Sequence, residues 1–449
     1  MELKTLQAYS CAISLACLSF LGLSPDSVSA GFIRDAEIEQ LLHDYTDPLL
    51  QASGLVVDNV QIGIIADPRI NAFVSGGQNI FVHTGLITEA EHPNMVIGVM
   101  AHEIGHITGG HLARGKNARD SAGTPMLIGA ILGLGSIIAG SPDLGLALLT
   151  GGQQLGMASY LTFSRSQEAS ADQVALQLLE ATEQSPQGIM DLMNTLAGQE
   201  ILSEARQDPY QRTHPMSRDR VNAYRSHAER SIYFKKVDNA DLQWRHDMAK
   251  AKLDGFIEHP QSVLRKYRDN ANPSLYARSV ALHRLARTDE SIALIDQLIA
   301  QHPGNPWFQE LKGQIYYETG YVEQAITPYE ISLRLQPSQP LLMIGLASAL
   351  LATDQKLGGR ERTLRAIELL RGAIRLEQDN LIAYTQLSKS YGQIEKIGLA
   401  EWALAENFAL RGDPQAQQHA NRAIKLLEPG QPERLRAQDI AASDFMKKR

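Results

Sequence analysis

His102-Glu103-Ile104-Gly105-His106 places two imidazoles and a carboxylate within little more than one helical turn. Residues i and i+4 of an α-helix lie on one face, so His102 and His106 can aim both rings at a single cation. Glu103 is offset by about 100°, which turns it from the cation towards a water beside it. Two nitrogen ligands with a neighbouring base are the parts of zinc-dependent hydrolysis. Five-residue patterns also arise by accident, but the setting argues against accident here. Val96, Ile97, Val99, Met100, Ala101 and Ile104 make the helix mostly apolar, and buried histidines and a glutamate are costly without a partner. A metal ion would be that partner.

Catalytic zinc usually keeps three protein ligands and one open position. His111 follows as H-E-x-x-H-x-x-G-G-H, one residue short of the spacing of zinc peptidases with a third histidine. On a continuous helix it would point about 180° from His102, so it is read as supporting a ligand or lying on the surface. A stronger candidate is Glu168 in Ser164-Arg165-Ser166-Gln167-Glu168-Ala169-Ser170-Ala171-Asp172. Glu168 and Asp172 share a helix face; if Glu168 ligates zinc, Asp172 can hold a ligand histidine in orientation, as outer carboxylates do. The alternative is a solvated acidic face.

The elements that must position these residues are legible in outline. Asp35 to Ala52 has the spacing of a helix, and Val60 to Ile65, Asn71 to Val74 and Asn79 to His83 read as strands, with Gly76-Gly77 turning between the last two. A small sheet directly before the motif helix suits a peptidase that takes substrate as an added strand, and the edge is expected near Ile80 to His83. Two Gly-rich apolar stretches, Met126 to Gly140 and Leu144 to Met157, flank Ser141-Pro142-Asp143. Each is short for spanning a bilayer, which leaves buried packing, a lid over the cleft, or a peripheral membrane contact. From about Asn239 a helical pattern with a period near 34 residues takes over, as in tetratricopeptide repeats. Its clearest unit carries Gly313, Tyr316, Gly320, Ala325, Tyr329, Ser332 and Pro337; Lys356 to Arg362 interrupts the series. Stacked pairs of this kind form a solenoid that binds peptides or proteins.

The chain of 449 residues, 44% hydrophobic and with net charge −8, is long enough for more than one core and offers nucleic acid no basic surface. Lys4, the apolar run Ala12 to Leu23 and Val28-Ser29-Ala30 read as an export signal cleaved after Ala30. Cys11 and Cys17 both fall within it, so the mature chain is expected to lack thiols. The expected division is a signal peptide at 1–30, a zinc peptidase domain at 31–238 and repeats at 239–449. The fold class is α+β, mostly α.

His-Glu-Ile-Gly-His, the Glu168-x-x-x-Asp172 helix, and Asn71-Ala72-Phe73-Val74 followed by Ile80-x-Val82-x-x-Gly85-Leu86 together resemble the gluzincin family of CAAX-prenyl and HtpX-type proteases. With an export signal and terminal repeats, the chain resembles that family's periplasmic branch. The resemblance implies one zinc ion held by His102, His106 and Glu168, with Glu103 as general base. It also picks out Thr213-His214-Pro215 and Arg220: in that branch the matching histidine can approach zinc and hold the enzyme off, and either residue could serve the oxyanion. The implied activity is a periplasmic endopeptidase acting on unfolded or misassembled envelope proteins, with a chaperone-like part in outer-membrane β-barrel assembly through the repeats. The rival reading is a tetratricopeptide adaptor whose metal site is latent or structural. A structural site needs no base, so an intact Glu103 favours the enzyme.

Overall fold

The computed structural model of the chain describes residues 31–75, 77–111, 165–197, 210, 214, 218–353 and 359–443. The expected signal peptide with Cys11 and Cys17, the Gly-rich stretches, Thr213 and Pro215 lie outside the described residues. Those residues form two compact units that divide between Ile257 and Glu258.

In the first unit, helix α1 (Ala36–Ser53) starts where Asp35 accepts a hydrogen bond from the Ile38 backbone and stops at Gly54, whose φ of 77° suits glycine. Its buried stripe of Ile38, Leu41, Leu42, Tyr45, Leu49 and Leu50 faces the core. The sheet comprises β1 (Phe32–Ile33), β2 (Ile62–Ile65), β3 (Ala72–Ser75) and β4 (Asn79–His83) in the order β1-β2-β4-β3. Strand β4 pairs in parallel with β2 and antiparallel with β3. Ile80 to His83 is therefore central, and the expectation of a substrate-receiving edge there is corrected. The chain crosses from β2 to β3 and returns between them, so β3 is the edge on that side. A run of alternating residues shows that a strand exists but not which neighbours it acquires.

Helix α2 (Thr84–Glu89) leads into α3 (Pro93–Thr108), which carries the motif. Pro93 sits in its first turn, where a missing N–H costs nothing. Every residue from Pro93 to His106 is buried, so the two histidines and the glutamate lie in a low-dielectric interior. Helix α4 (165–181) passes α3 at close range: a Cβ built on Gly105 would lie 2.7 Å from the Ala171 carbonyl oxygen. Helix α5 (Gln187–Ala197) also packs on α3, with Gly98 against Ile189. Helices α6 (Arg218–Ala228) and α7 (Ala240–Ile257) follow. The sequence changes character near residue 239, yet α7 packs on α1, α2 and α3. His246 in α7 is fully buried and bridges the Tyr45 hydroxyl at 3.0 Å and the Ala90 carbonyl at 3.1 Å.

The second unit is all-α. Its helix pairs begin at Asn272, Pro306 and Pro340, 34 residues apart, and then at Leu381 and Gln415. The wider step before Leu381 is where the sequence shows its insertion. Each helix packs chiefly on its neighbours in the chain, as stacked repeats require. The Tyr329 ring shows how the period is enforced, since a Cβ on Gly313 or on Gly345 of the next pair would each come within 2.8 Å of it. Among the described residues no helix is long and apolar enough to cross a membrane.

Candidate metal centre

Three elements of the first unit converge on one point. Helix α3 supplies His102, Glu103 and His106, α4 supplies Glu168 and Asp172, and the segment leading into α6 supplies His214, with Arg220 on α6 itself. All seven are buried.

The donor atoms stand at spacings a metal can explain. His102 Nε2 lies 3.0 Å from His106 Nε2 and 3.4 Å from a Glu168 oxygen, and His106 Nε2 lies 3.4 Å from the other Glu168 oxygen. His214 Nδ1 is 3.3 Å from His102 Nε2 and 3.2 Å from Glu168 Oε2. Ligands about 2.0–2.1 Å from a tetrahedral zinc ion stand roughly 3.3–3.4 Å apart, so this set has the scale of a zinc coordination shell. His102, His106, Glu168 and His214 form a group able to hold one metal ion.

The far side of each ligand is also held. His102 Nδ1 lies 3.0 Å from Asp172 Oδ1, and His106 Nδ1 lies 2.9 Å from His111 Nδ1. With the outer nitrogens turned to these neighbours, both Nε2 atoms face the centre. His111 was read as supporting or superficial, and the structure makes it supporting. Helix α3 ends at Thr108 and Gly110 takes φ of 61°, which swings His111 back instead of continuing the helix away from His106.

Arg220 binds Asp172 through two parallel hydrogen bonds, Nε to Oδ2 at 2.5 Å and Nη2 to Oδ1 at 2.8 Å, and its Nη1 is 2.8 Å from Glu168 Oε2. It also donates to the His214 carbonyl at 3.4 Å. The guanidinium thus holds the carboxylates of Glu168 and Asp172 in place.

The electrostatics follow from burial and neighbours. Burial disfavours charge on His106, and the adjacent histidines reinforce this, lowering its pKa to about 2 and leaving a neutral ring with a lone pair to donate. Burial also opposes charge on His102, but hydrogen bonds to Asp172 and Glu168 prevail and raise it to about 9. Burial would raise Glu168, yet its hydrogen bonds with His102 and His214 hold it well below the carboxylate range. Asp172, likewise opposed by burial, is brought to about 2 by Arg220 and His102. Two anionic carboxylates and a cation-seeking ring suit a divalent ion. Glu103 differs, since burial raises its pKa above the usual value, the direction that makes a carboxylate a better base near neutrality. Its Oε1 is 3.5 Å from His214 Nε2, and neither atom has a hydrogen-bond partner among the described residues.

Two positions carry signals that only the structure makes readable. Gly105 lies hard against α4, where a Cβ would meet the Ala171 backbone. Tyr210 is fully buried, with its ring 4.6 Å from that of His214, its carbonyl accepting from the His214 backbone at 2.8 Å, and its N–H donating to Ile70 at 3.3 Å.

Residues 34–228 match Peptidase family M48, and with the donor set just described the chain carries the domain of a zinc metalloprotease of that family. The β-barrel assembly-enhancing protease of Escherichia coli K12 is 26% identical over 413 residues, covering 89% of this chain and 80% of its own. The Yersinia pestis protein of the same name is 25% identical over 330 residues, or 72% and 67% of the two chains. The metalloprotease LoiP of E. coli K12 is 31% identical over 156 residues, 35% of this chain and 58% of its own.

Proposed function

We propose that this zinc metalloprotease is a periplasmic endopeptidase that removes misassembled envelope proteins and assists outer-membrane β-barrel assembly, with the repeat unit recruiting the proteins concerned. The observation that carries the enzymatic part is the set of His102, His106 and Glu168 donors at coordination spacing beside a buried Glu103 carboxylate oxygen that has no hydrogen-bond partner among the described residues. Support for the cellular role comes from relatives named for β-barrel assembly that align with most of this chain, from the N-terminal export pattern, and from the stacked helix pairs.

His102, His106 and Glu168 would hold the zinc ion, which supplies a Lewis acid that polarises a carbonyl and acidifies water. Glu103 accepts the proton of the attacking water and passes it to the leaving amine nitrogen. Asp172 and His111 fix the ligand rings, and Arg220 fixes the two carboxylates of α4. His214 reaches the cluster through Nδ1 and Glu103 through Nε2.

That placement favours a refinement. A fourth protein donor would close a zinc shell in the manner of structural sites; with His214 in that position the enzyme would rest self-restrained, and His214 would withdraw for turnover. Once displaced, its imidazole is close enough to assist the oxyanion. The rival reading of a latent adaptor shares this closed shell and differs in its base, which a structural site would not need.

The test is Glu103→Gln, which preserves shape and removes basicity. The variant should retain zinc in a one-to-one ratio and lose casein and peptide hydrolysis by at least about a thousandfold. Turnover close to that of the unaltered protein would refute the mechanism.

A further inference from the structure

The edge of the sheet next to the metal centre has an aromatic outer face. Hydrogen-bonded and open pairs alternate along an antiparallel ladder. The His83 N–H bonds to the Asn71 carbonyl at 3.0 Å, so Asn71, Phe73 and Ser75 direct their backbone groups into β4, and Ile70, Ala72 and Val74 direct theirs outwards. The Ile70 carbonyl accepts from Tyr210, whose ring lies against His214. Beyond it, the sheet pairing gives Ala72 and Val74 no further strand among the described residues. Among the described residues, an unpaired strand edge thus runs up to the catalytic cluster.

The side chains alternate as well. Ala72 and Val74 are buried in the core, whereas Phe73 is half-buried on the opposite face. Phe73 lies directly across from Phe81 in β4, with ring centroids 5.4 Å apart and stacked at 30°, and Phe81 meets Phe32 at 5.8 Å. Gly63 in β2 makes room for this row, since a Cβ there would sit 2.8 Å from the Phe81 ring. Phe32, at the far end, is 57% exposed.

We propose that Phe73, backed by Phe81, is a specificity-determining residue that selects substrates bearing an aromatic or β-branched side chain at the position that comes to lie opposite it when the substrate adds to β3. This rests on the endopeptidase reading. A strand added to β3 places alternate side chains on the outer face, and a cross-strand neighbour of Phe73 gains most when it is aromatic or β-branched. The next residue along points to the other face and is not read by this ring. The substrate class is therefore a strand-forming segment with apolar residues at every second position, the pattern of outer-membrane β-strands.

The experiment places two peptides in competition in one reaction with the full-length zinc-loaded protein. They differ only by phenylalanine or serine at a single position, and the pair is stepped along the sequence. Competition reports the ratio of kcat/KM whatever fraction of the enzyme is restrained by His214. At one position the phenylalanine peptide should be favoured by about two- to fivefold. Phe73→Ser should bring that ratio to unity while the serine peptide is still cut; Phe73→Leu, which keeps an apolar residue on the sheet, should retain a preference for the phenylalanine peptide. Phe32→Ser, at the other end of the row, should leave the ratio unchanged. An equal ratio at every position, or a preference that survives Phe73→Ser, would overturn the proposal with the endopeptidase reading intact. Failure of the unaltered protein to cut either peptide would overturn both.

Discussion

Glu103 and His214 face each other across the donor cluster, and their separate roles are distinguishable by substitution. Replacing His214 with alanine removes the fourth donor, so casein cleavage and self-cleavage should rise several-fold over the unaltered protein. A fall in both would assign His214 to transition-state support instead. Gly105 makes a different prediction. An alanine there meets the Ala171 backbone, which has no flexible end to move aside, so α4 must shift and carry Glu168 with it. Gly105→Ala should lower zinc affinity by about 10- to 100-fold, as displaced ligand support does, and destabilise the unit by about 1–3 kcal/mol as overpacking does. Zinc titration and thermal melting of the variant check the two effects, and unaltered affinity would show that the close approach does not set the site. The pairing of His102 with His106 was legible because i, i+4 spacing on an apolar helix is itself a geometric statement. The need for glycine at 105 was not, because it depends on a helix more than sixty residues further along the chain.

At the scale of elements, the sequence was reliable where periodicity is local. The α1 helix, the three strands and the 34-residue pairs stand close to where their spacing puts them. Strand order was illegible, because β4 inserts between β2 and β3 and alternation alone carries no information about neighbours. The short β1, pairing through Phe32 and Ile33, was likewise too brief to declare itself. His214 and Arg220 could be placed only by resemblance, since nothing in a Thr-His-Pro sequence points at a metal. The structure joins three elements, α3, α4 and the approach to α6, through buried polar groups whose donor atoms crowd around one point. Chelation should therefore loosen their packing. Removing zinc is expected to lower the melting temperature by several degrees, because a ligand bound only by the folded state stabilises it, and readdition should restore it. An unchanged melting curve in the zinc-free protein would mean that the cluster holds together without metal.

For the whole molecule, every candidate chemical residue precedes Glu258 and the repeats follow it. Truncation after Ile257 retains α7 and its buried His246 and should keep zinc binding and cleavage of a short unstructured peptide. Capture of envelope assembly proteins should be lost, because a tethering surface acts by raising local concentration. Pull-down and peptide cleavage on the same pair of proteins would show it, and undiminished capture by the truncated form would remove the repeats from recruitment. All of these expectations depend on one metal ion at one place. Crystals of the zinc-loaded full-length protein, measured on both sides of the zinc absorption edge, test that directly. The account predicts a single anomalous peak enclosed by His102, His106 and Glu168, with His214 at the fourth position and Glu103 beside it but unbonded to the metal. A peak elsewhere, or one coordinated without Glu168, would contradict it.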